Sequence, residues 1–423
     1  MSALPLHLLP DTTRVGVDGA ATIGGCRLDE LAVRFGTPLF VYDVVHLRAR
    51  ADEAVRAFGD GAVYASKAFL CRAVARLVHE AGMRIDVATG GELHVALAAG
   101  VPADRLVLHG NNKSDIELTL ALRAGVGRIV IDNDTEFDRI ETIVADGAAA
   151  PRVLIRITPG VEAHTHEYIS TGQVDSKFGF AVSGGAAARA VERARRSPAM
   201  DLVGVHAHIG SQVFRADSFA EALDVIASFS EPLELPELSI GGGLGVAYVE
   251  GESAPTITEW ADALLARAKT SGVRSTIFAE PGRAIVASAA VTLYTVGAIK
   301  HIPGVRTYVA VDGGMSDNPR PVLYGSGYET FLPRATTAER DLTIRLVGKH
   351  CESGDLLVRE GRVPGDLTVG DIIATPVTGA YGHSMGSNYN KVLRPAVVFV
   401  EDGDARLVVR RETYDDLLAT DVG

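Results

Sequence analysis

Leu202-Val203-Gly204-Val205-His206-Ala207-His208-Ile209-Gly210-Ser211-Gln212 runs an apolar, β-branched segment into a Gly-Ser turn that carries two histidines. The same unit recurs on both sides of it: a short strand-like run, a polar or glycine-rich end, then a helical pattern. The strand-like runs cover residues 62–64, 84–87, 106–108, 128–131, 153–157, 202–207, 237–240 and 275–279. Amphipathic segments lie between them, among them 70–81, 92–99, 116–124, 186–196, 219–229 and 260–270. Strands that alternate with helices pair in parallel, and eight such units predict a (β/α)8 barrel of the TIM type, an α/β fold.

Beyond Ile285 the pattern changes to short period-two strands with Gly and Asp turns, at 307–311, 355–358, 371–375 and 397–400. That predicts a separate all-β domain, a β-sandwich or β-barrel. Residues 36–285 are accordingly assigned to the barrel and 286–423 to the β domain. Residues 1–35, strand-like at 14–17 and 21–23, are too few for a domain and are expected to add strands to it.

The chain has 423 residues, more than one hydrophobic core accommodates, with 47% hydrophobic and 22% charged residues. The longest uncharged apolar stretch, residues 284–299, is too short to cross a bilayer and is closed by Arg283 and Lys300. No basic residue precedes Arg14, so the apolar start lacks the flank of a secretory signal and a cytoplasmic protein is expected. Cys26, Cys71 and Cys351 are odd in number and lack metal-ligand spacing, which argues against a disulfide framework or a zinc site. A net charge of -12 with scattered basic residues excludes a nucleic-acid footprint and leaves a small molecule as the expected partner.

In such barrels the chemistry sits where strands end and helices begin. Lys67 follows the first strand, His109-Gly110-Asn111-Asn112 the third, and His206 to Gln212 the sixth. Gly241-Gly242-Gly243-Leu244-Gly245 follows the seventh and Glu280-Pro281-Gly282-Arg283 the eighth. A glycine run alone is a tight turn, but after strand seven and beside Arg283 it is placed to cradle a phosphate. A lysine alone is surface charge; beside a phosphate cradle it suggests the Schiff-base lysine of pyridoxal phosphate. Glu280 is then the candidate for the ring nitrogen, where a carboxylate keeps the pyridinium protonated and a good electron sink. His206 is read evenly as a satisfied core residue, His208 more readily as a site residue.

These motifs, with Tyr64-Ala65-Ser66-Lys67-Ala68, Asp86-Val87-Ala88-Thr89-Gly90-Gly91-Glu92-Leu93 and Gly348-Lys349-His350-Cys351-Glu352-Ser353-Gly354-Asp355, resemble in kind and order the diaminopimelate decarboxylases of the alanine-racemase-like group. The resemblance runs from about Phe35 to Leu418. It implies that meso-diaminopimelate is decarboxylated to L-lysine through a pyridoxal-phosphate external aldimine and quinonoid. Lys67 would carry the internal aldimine, His208 stack on the ring and Glu280 pair with its nitrogen. Ser211, Gly241, Gly242, Gly243 and Tyr381 would hold the phosphate, with Pro281, Gly282 and Arg283 adjoining. Cys351 would protonate the carbanion from the other subunit of a homodimer. Arg283, Arg320 and Tyr324 would bind the distal carboxylate, Glu352 the distal ammonium, and Tyr381 would adjoin the substrate. Three departures from the family pattern are Phe69 after the Lys67-Ala68 pair, Ser239 before the glycine string, and Lys349-His350 before Cys351.

The alternatives are a decarboxylase for another basic amino acid, separated by the pair Arg283 and Arg320, and a racemase, which would place Arg where Glu280 stands. A binding protein without turnover would have no use for Cys351, and a barrel aldolase none for Glu280. His164 and His166 are read as a lid or a surface loop.

Overall fold

The computed structural model describes residues 4–160 and 176–423. They form two compact units: Arg50–Val246 with Ala254–Ala284, and Met1–Ala49 with Ala247–Ser253 and Ile285–Gly423. His164 and His166 lie outside the described residues.

The first unit is the barrel. Its parallel strands are Val63–Ala65, Arg84–Val87, Leu106–Leu108, Arg128–Ile131, Arg152–Thr158, Asp201–Ala207, Glu237–Ser239 and Thr276–Phe278, each paired with its neighbour in that order. The seam between last and first is closed by an Ala62–Ala279 bridge. There Val63 N–H donates to Ala279 O at 2.9 Å, and Ala279 N–H to Gly61 O at 3.0 Å. Val63, Val107, Val130, Leu154, Val203 and Phe278 cluster as a buried apolar layer. Residues two apart on a strand share a face. Leu154 is followed in this way by Arg156 and Phe278 by Glu280, so charge stands on apolar support.

Some helices begin one to three residues earlier than the apolar periodicity suggests, where polar caps recruit the first turn, while Arg72–Glu80 begins two residues later and Ala186–Arg196 where expected. Ser114 caps Asp115–Ala124 in a reciprocal capping box with Glu117, and Thr256 caps Ile257–Thr270 with Glu259. Trp260 is wholly buried between Phe58 and Phe219, ring centroids 5.4 and 5.3 Å away.

The second unit holds a mixed eight-stranded sheet around the long strand Ala290–Ile302. This strand takes up the later part of the apolar run noted above, whose start lies in the short helix Arg283–Val286, and among the described residues no helix is long and apolar enough to cross a membrane. It pairs antiparallel with Leu39–Asp43, Arg306–Val311 and Ile372–Pro376. Leu39–Asp43 also lies parallel to Ala396–Glu401. One placement differs from the sequence expectation: Leu39–Asp43 joins this sheet, although residues from 36 on were assigned to the barrel; a buried apolar strand reads alike in either sheet. Arg14–Val15, Ala21–Ile23 and Cys26–Arg27 add their strands to the second unit as a small antiparallel sheet of their own.

Candidate active site

Glu280, next after Ala279 at the barrel seam, is 7% exposed and sits among donors. Ser239 Oγ–H donates to Oε1 at 2.7 Å, and His206 Nε2 lies 3.1 Å from Oε2. His109 Nε2 is 3.7 Å from Oε1, and its ring meets His206 edge-on with centroids 4.9 Å apart. Burial opposes ionisation of Glu280, but the two imidazoles and the hydrogen bonds from His206 and Ser239 outweigh it. The carboxyl is therefore held well below the usual carboxylate range. An anion only accepts, so His206 carries its proton on Nε2. Asp86 goes the other way: burial first, then the Glu280 charge, push it well above its ordinary value. The two neighbouring buried carboxyls are thus pushed in opposite directions, Glu280 down and Asp86 up.

His208 lies on the same strand end. Burial, then the charges of Lys67 and Arg156, push its pKa well below the ordinary imidazole value, so it is neutral at pH 7. Its Nδ1 accepts Gly242 N–H at 3.2 Å, which leaves the ring proton on Nε2. The glycine string is required by close approach. A Cβ on Gly241 would stand 2.6 Å from Ala207 O, and one on Gly243, at φ +116°, 2.2 Å from Gly210 O. Arg283 donates from Nη2 to Ser211 Oγ at 2.9 Å, which ties the turn after strand eight to that after strand six.

Lys67 emerges from the one-turn 3-10 segment Ser66–Ala68, its flanking residues buried and its own side chain exposed. Tyr64 O–H donates to Phe69 O at 2.6 Å and Ala65 N–H to Pro281 O at 3.3 Å, which fix the turn on both sides. Gly282 packs so close to Ala65 that a Cβ there would lie 2.8 Å from the Ala65 methyl. The Lys67 ammonium acts on both Asp86 and His208.

In the second unit Arg320 is 4% exposed. It donates to Tyr328 O–H at 2.6 Å and lies 4.3 Å over the Tyr248 ring. Burial opposes its charge, but Tyr328 and Tyr248 outweigh that and raise its pKa. Tyr324 closes the same short helix, Arg320–Tyr324. Tyr381 sits at φ +60°. Cys351 and Glu352 are exposed; Cys351 N–H donates to Asn390 Oδ1 at 2.9 Å, and Glu352 Oε1 accepts Gly354 N–H at 3.1 Å. Asp355 anchors their turn, accepting His350 N–H at 2.8 Å and Met315 N–H at 2.7 Å.

Behind that anchor Asp317 is buried and accepts Gly314 N–H at 3.0 Å. Burial pushes its carboxyl up to about 7, Gly314 opposing and Asp312 adding. A raised acid holds its proton more tightly folded than unfolded. Its stabilisation is therefore complete below about pH 4 and is lost as pH rises towards 7. Asp317→Asn is expected to flatten that decline by a few kcal/mol, read as the difference in urea midpoint between the two pH values. Parallel midpoints for both proteins would contradict it.

The barrel unit thus gathers Lys67, His208, Ser211, Gly241, Gly242, Gly243, Glu280, Pro281, Gly282 and Arg283 at its strand ends, while Arg320, Tyr324, Cys351, Glu352 and Tyr381 belong to the second unit. Sequence reasoning quoted Asp86 within a motif without giving it a role, passed over Arg156, Tyr248 and Tyr328, and weighed His206 evenly. Arg156 and Asp86 had a signal: each is a charge inside an apolar strand, in Ile155-Arg156-Ile157 and Ile85-Asp86-Val87. His109, His206 and Glu280 bring donor atoms within 4.8 Å of one another, the spread of a metal-ligand set. A metal would have no use for the glycine cradle or Lys67. Pyridoxal phosphate fits all three parts, with a cradle for its phosphate, an amine for its aldehyde and an ionised carboxylate for its ring nitrogen.

Barrel and site are those of a pyridoxal-dependent decarboxylase, and residues 44–287 match the family model "Pyridoxal-dependent decarboxylase, pyridoxal binding domain". The chain is 47% identical to the diaminopimelate decarboxylase of Mycobacterium tuberculosis, over 99% of both chains, and 45% identical to that of Bacillus subtilis, over 98% of both. The crystal structure of diaminopimelate decarboxylase from M. jannaschii in co-complex with L-lysine superposes with a TM-score of 0.89 at 32% identity, covering 98% of each chain. The chain belongs to the diaminopimelate decarboxylase family.

Proposed function

We infer that this protein removes one carboxyl group from meso-2,6-diaminopimelate to release CO2 and L-lysine, the last step of lysine biosynthesis, with pyridoxal 5′-phosphate as cofactor. The carrying observation is Glu280, a buried carboxylate held ionised by His206 and Ser239 at the barrel seam. The cofactor, when bound, supplies a conjugated ring that draws in the electron pair of the breaking bond, and does so best with its nitrogen protonated.

The chain's own groups do the rest. Lys67 offers the amine that anchors the cofactor, and Glu280 holds a proton at the ring nitrogen. His208, neutral, packs on the ring face. Ser211, Arg283, Tyr381 and the N–H groups of Gly241, Gly242 and Gly243 bind the phosphate. Arg320, charged within its tyrosines, takes the distal carboxylate with Tyr324 and Arg283, and Glu352 takes the distal ammonium. Cys351 donates the proton that replaces CO2, from the second copy of a homodimer. The protein is assigned to the cytoplasm.

Purified protein supplied with pyridoxal phosphate is expected to yield equal lysine and CO2 from meso-diaminopimelate and none of either from L-ornithine, L-lysine or L-arginine. Turnover of only one of those three would keep the chemistry and overturn the roles given to Arg320 and Glu352.

A further inference from the structure

The donors around Glu280 belong to a longer circuit. Ser239 Oγ, which donates to Glu280 Oε1 at 2.7 Å, also receives Gly241 N–H at 3.3 Å. Glu280 N–H in turn donates to Gly241 O at 2.9 Å. Gly242 N–H donates to His208 Nδ1 at 3.2 Å, and the chain returns from His208 through Ala207 to His206, 3.1 Å from Glu280 Oε2. The loop closes across the ends of three strands, and its side chains, apart from half-buried His208, are buried. A carboxylate enclosed in this way survives as an anion only if its oxygens are met by donors.

We propose that His206 and Ser239 are positioning residues for the cofactor: by occupying the two oxygens of Glu280 they fix its carboxylate in one orientation against the pyridine nitrogen and lock it to the phosphate-binding glycines. This rests on the pyridoxal-phosphate reading above. His206 acts on the ring nitrogen only through Glu280. Ser239 does the same and ties that end of the site to Gly241, so the ring and its phosphate are held by one rigid frame. His109 buttresses His206 edge-on, and burial drives its pKa well below the ordinary imidazole value.

The test compares two ligands on cofactor-free protein, pyridoxal phosphate and an analogue with C–H in place of the ring nitrogen, by absorbance titration. The proteins are wild type, His206→Phe, His206→Gln and Ser239→Ala. A hydrogen bond to a charged group implies that His206→Phe binds pyridoxal phosphate roughly 10- to 100-fold more weakly and Ser239→Ala about 10-fold more weakly. His206→Gln, which restores an N–H donor, recovers most of the loss. The analogue binds all four proteins alike, since it offers Glu280 nothing to hold. Equal losses for both ligands are the mark of packing damage and would overturn the proposal, as would unchanged affinity for pyridoxal phosphate in His206→Phe and Ser239→Ala. Should His206→Phe fail to fold, Ser239→Ala, which removes one oxygen atom, decides the question. Failure of wild type itself to bind pyridoxal phosphate would instead bring down the functional reading beneath.

Discussion

Lys67→Ala, purified and mixed with pyridoxal phosphate, is expected to show no visible absorbance band of protein-bound cofactor and to lose more than about 10³-fold in activity. The fold should survive, because the Lys67 side chain is exposed while the turn that carries it is fixed by buried Ser66 and Ala68 and by the Tyr64 and Ala65 hydrogen bonds. Surface truncations of this kind cost about 0.5 kcal/mol or less. Removing the ammonium also takes away the charge that lowers Asp86 and His208, so the variant retains the cradle but not the amine. Unchanged circular dichroism with a vanished band is the result that assigns Lys67. A band that persists would move the attachment point to another amine.

Cys351→Ala should bind substrate with little change in KM and turn over on the order of 10²–10⁴-fold more slowly, the usual worth of a placed proton donor. Its backbone is held independently of the thiol: Asn390 takes the Cys351 N–H, and Asp355 the N–H of His350 beside it. The loss would therefore report on the proton and not on a collapsed loop. If each copy lends Cys351 to the other, Lys67→Ala and Cys351→Ala complement one another. Random re-pairing makes about half of the dimers hybrid, each with one complete site of two, for about a quarter of wild-type activity. Verified hybrids without activity would confine Cys351 to its own chain, and an unchanged kcat in the single variant would remove it from the reaction.

Much of the barrel is legible in the sequence because its strands are short apolar runs spaced by amphipathic helices, and each polar strand end stands out against them. Lys67 and Glu280 are conspicuous for that reason. Leu39–Asp43 is not assignable in the same way, since Leu-Phe-Val-Tyr-Asp describes a buried strand without saying which sheet buries it. His206 illustrates the other limit. Its meaning lies in a hydrogen bond to a residue 74 positions away, and no local pattern encodes that pairing. The tyrosines around Arg320 are similar: Tyr248 stands 72 positions before it (320 − 248), in the short segment Ala247–Ser253 that the chain contributes to the second unit before completing the barrel.

The seam between the first and eighth strands sets a condition on the birth of the enzyme. Lys67 and Glu280 follow the two strands that meet there, yet more than half the chain separates them in order of synthesis. While the protein is being made, Lys67 emerges early, and Glu280 follows only when the last barrel strand has left the ribosome and Ala279 can meet Ala62. A chain that stops short of Ala279 carries Lys67 without Glu280 and has no partner with which to close the barrel seam.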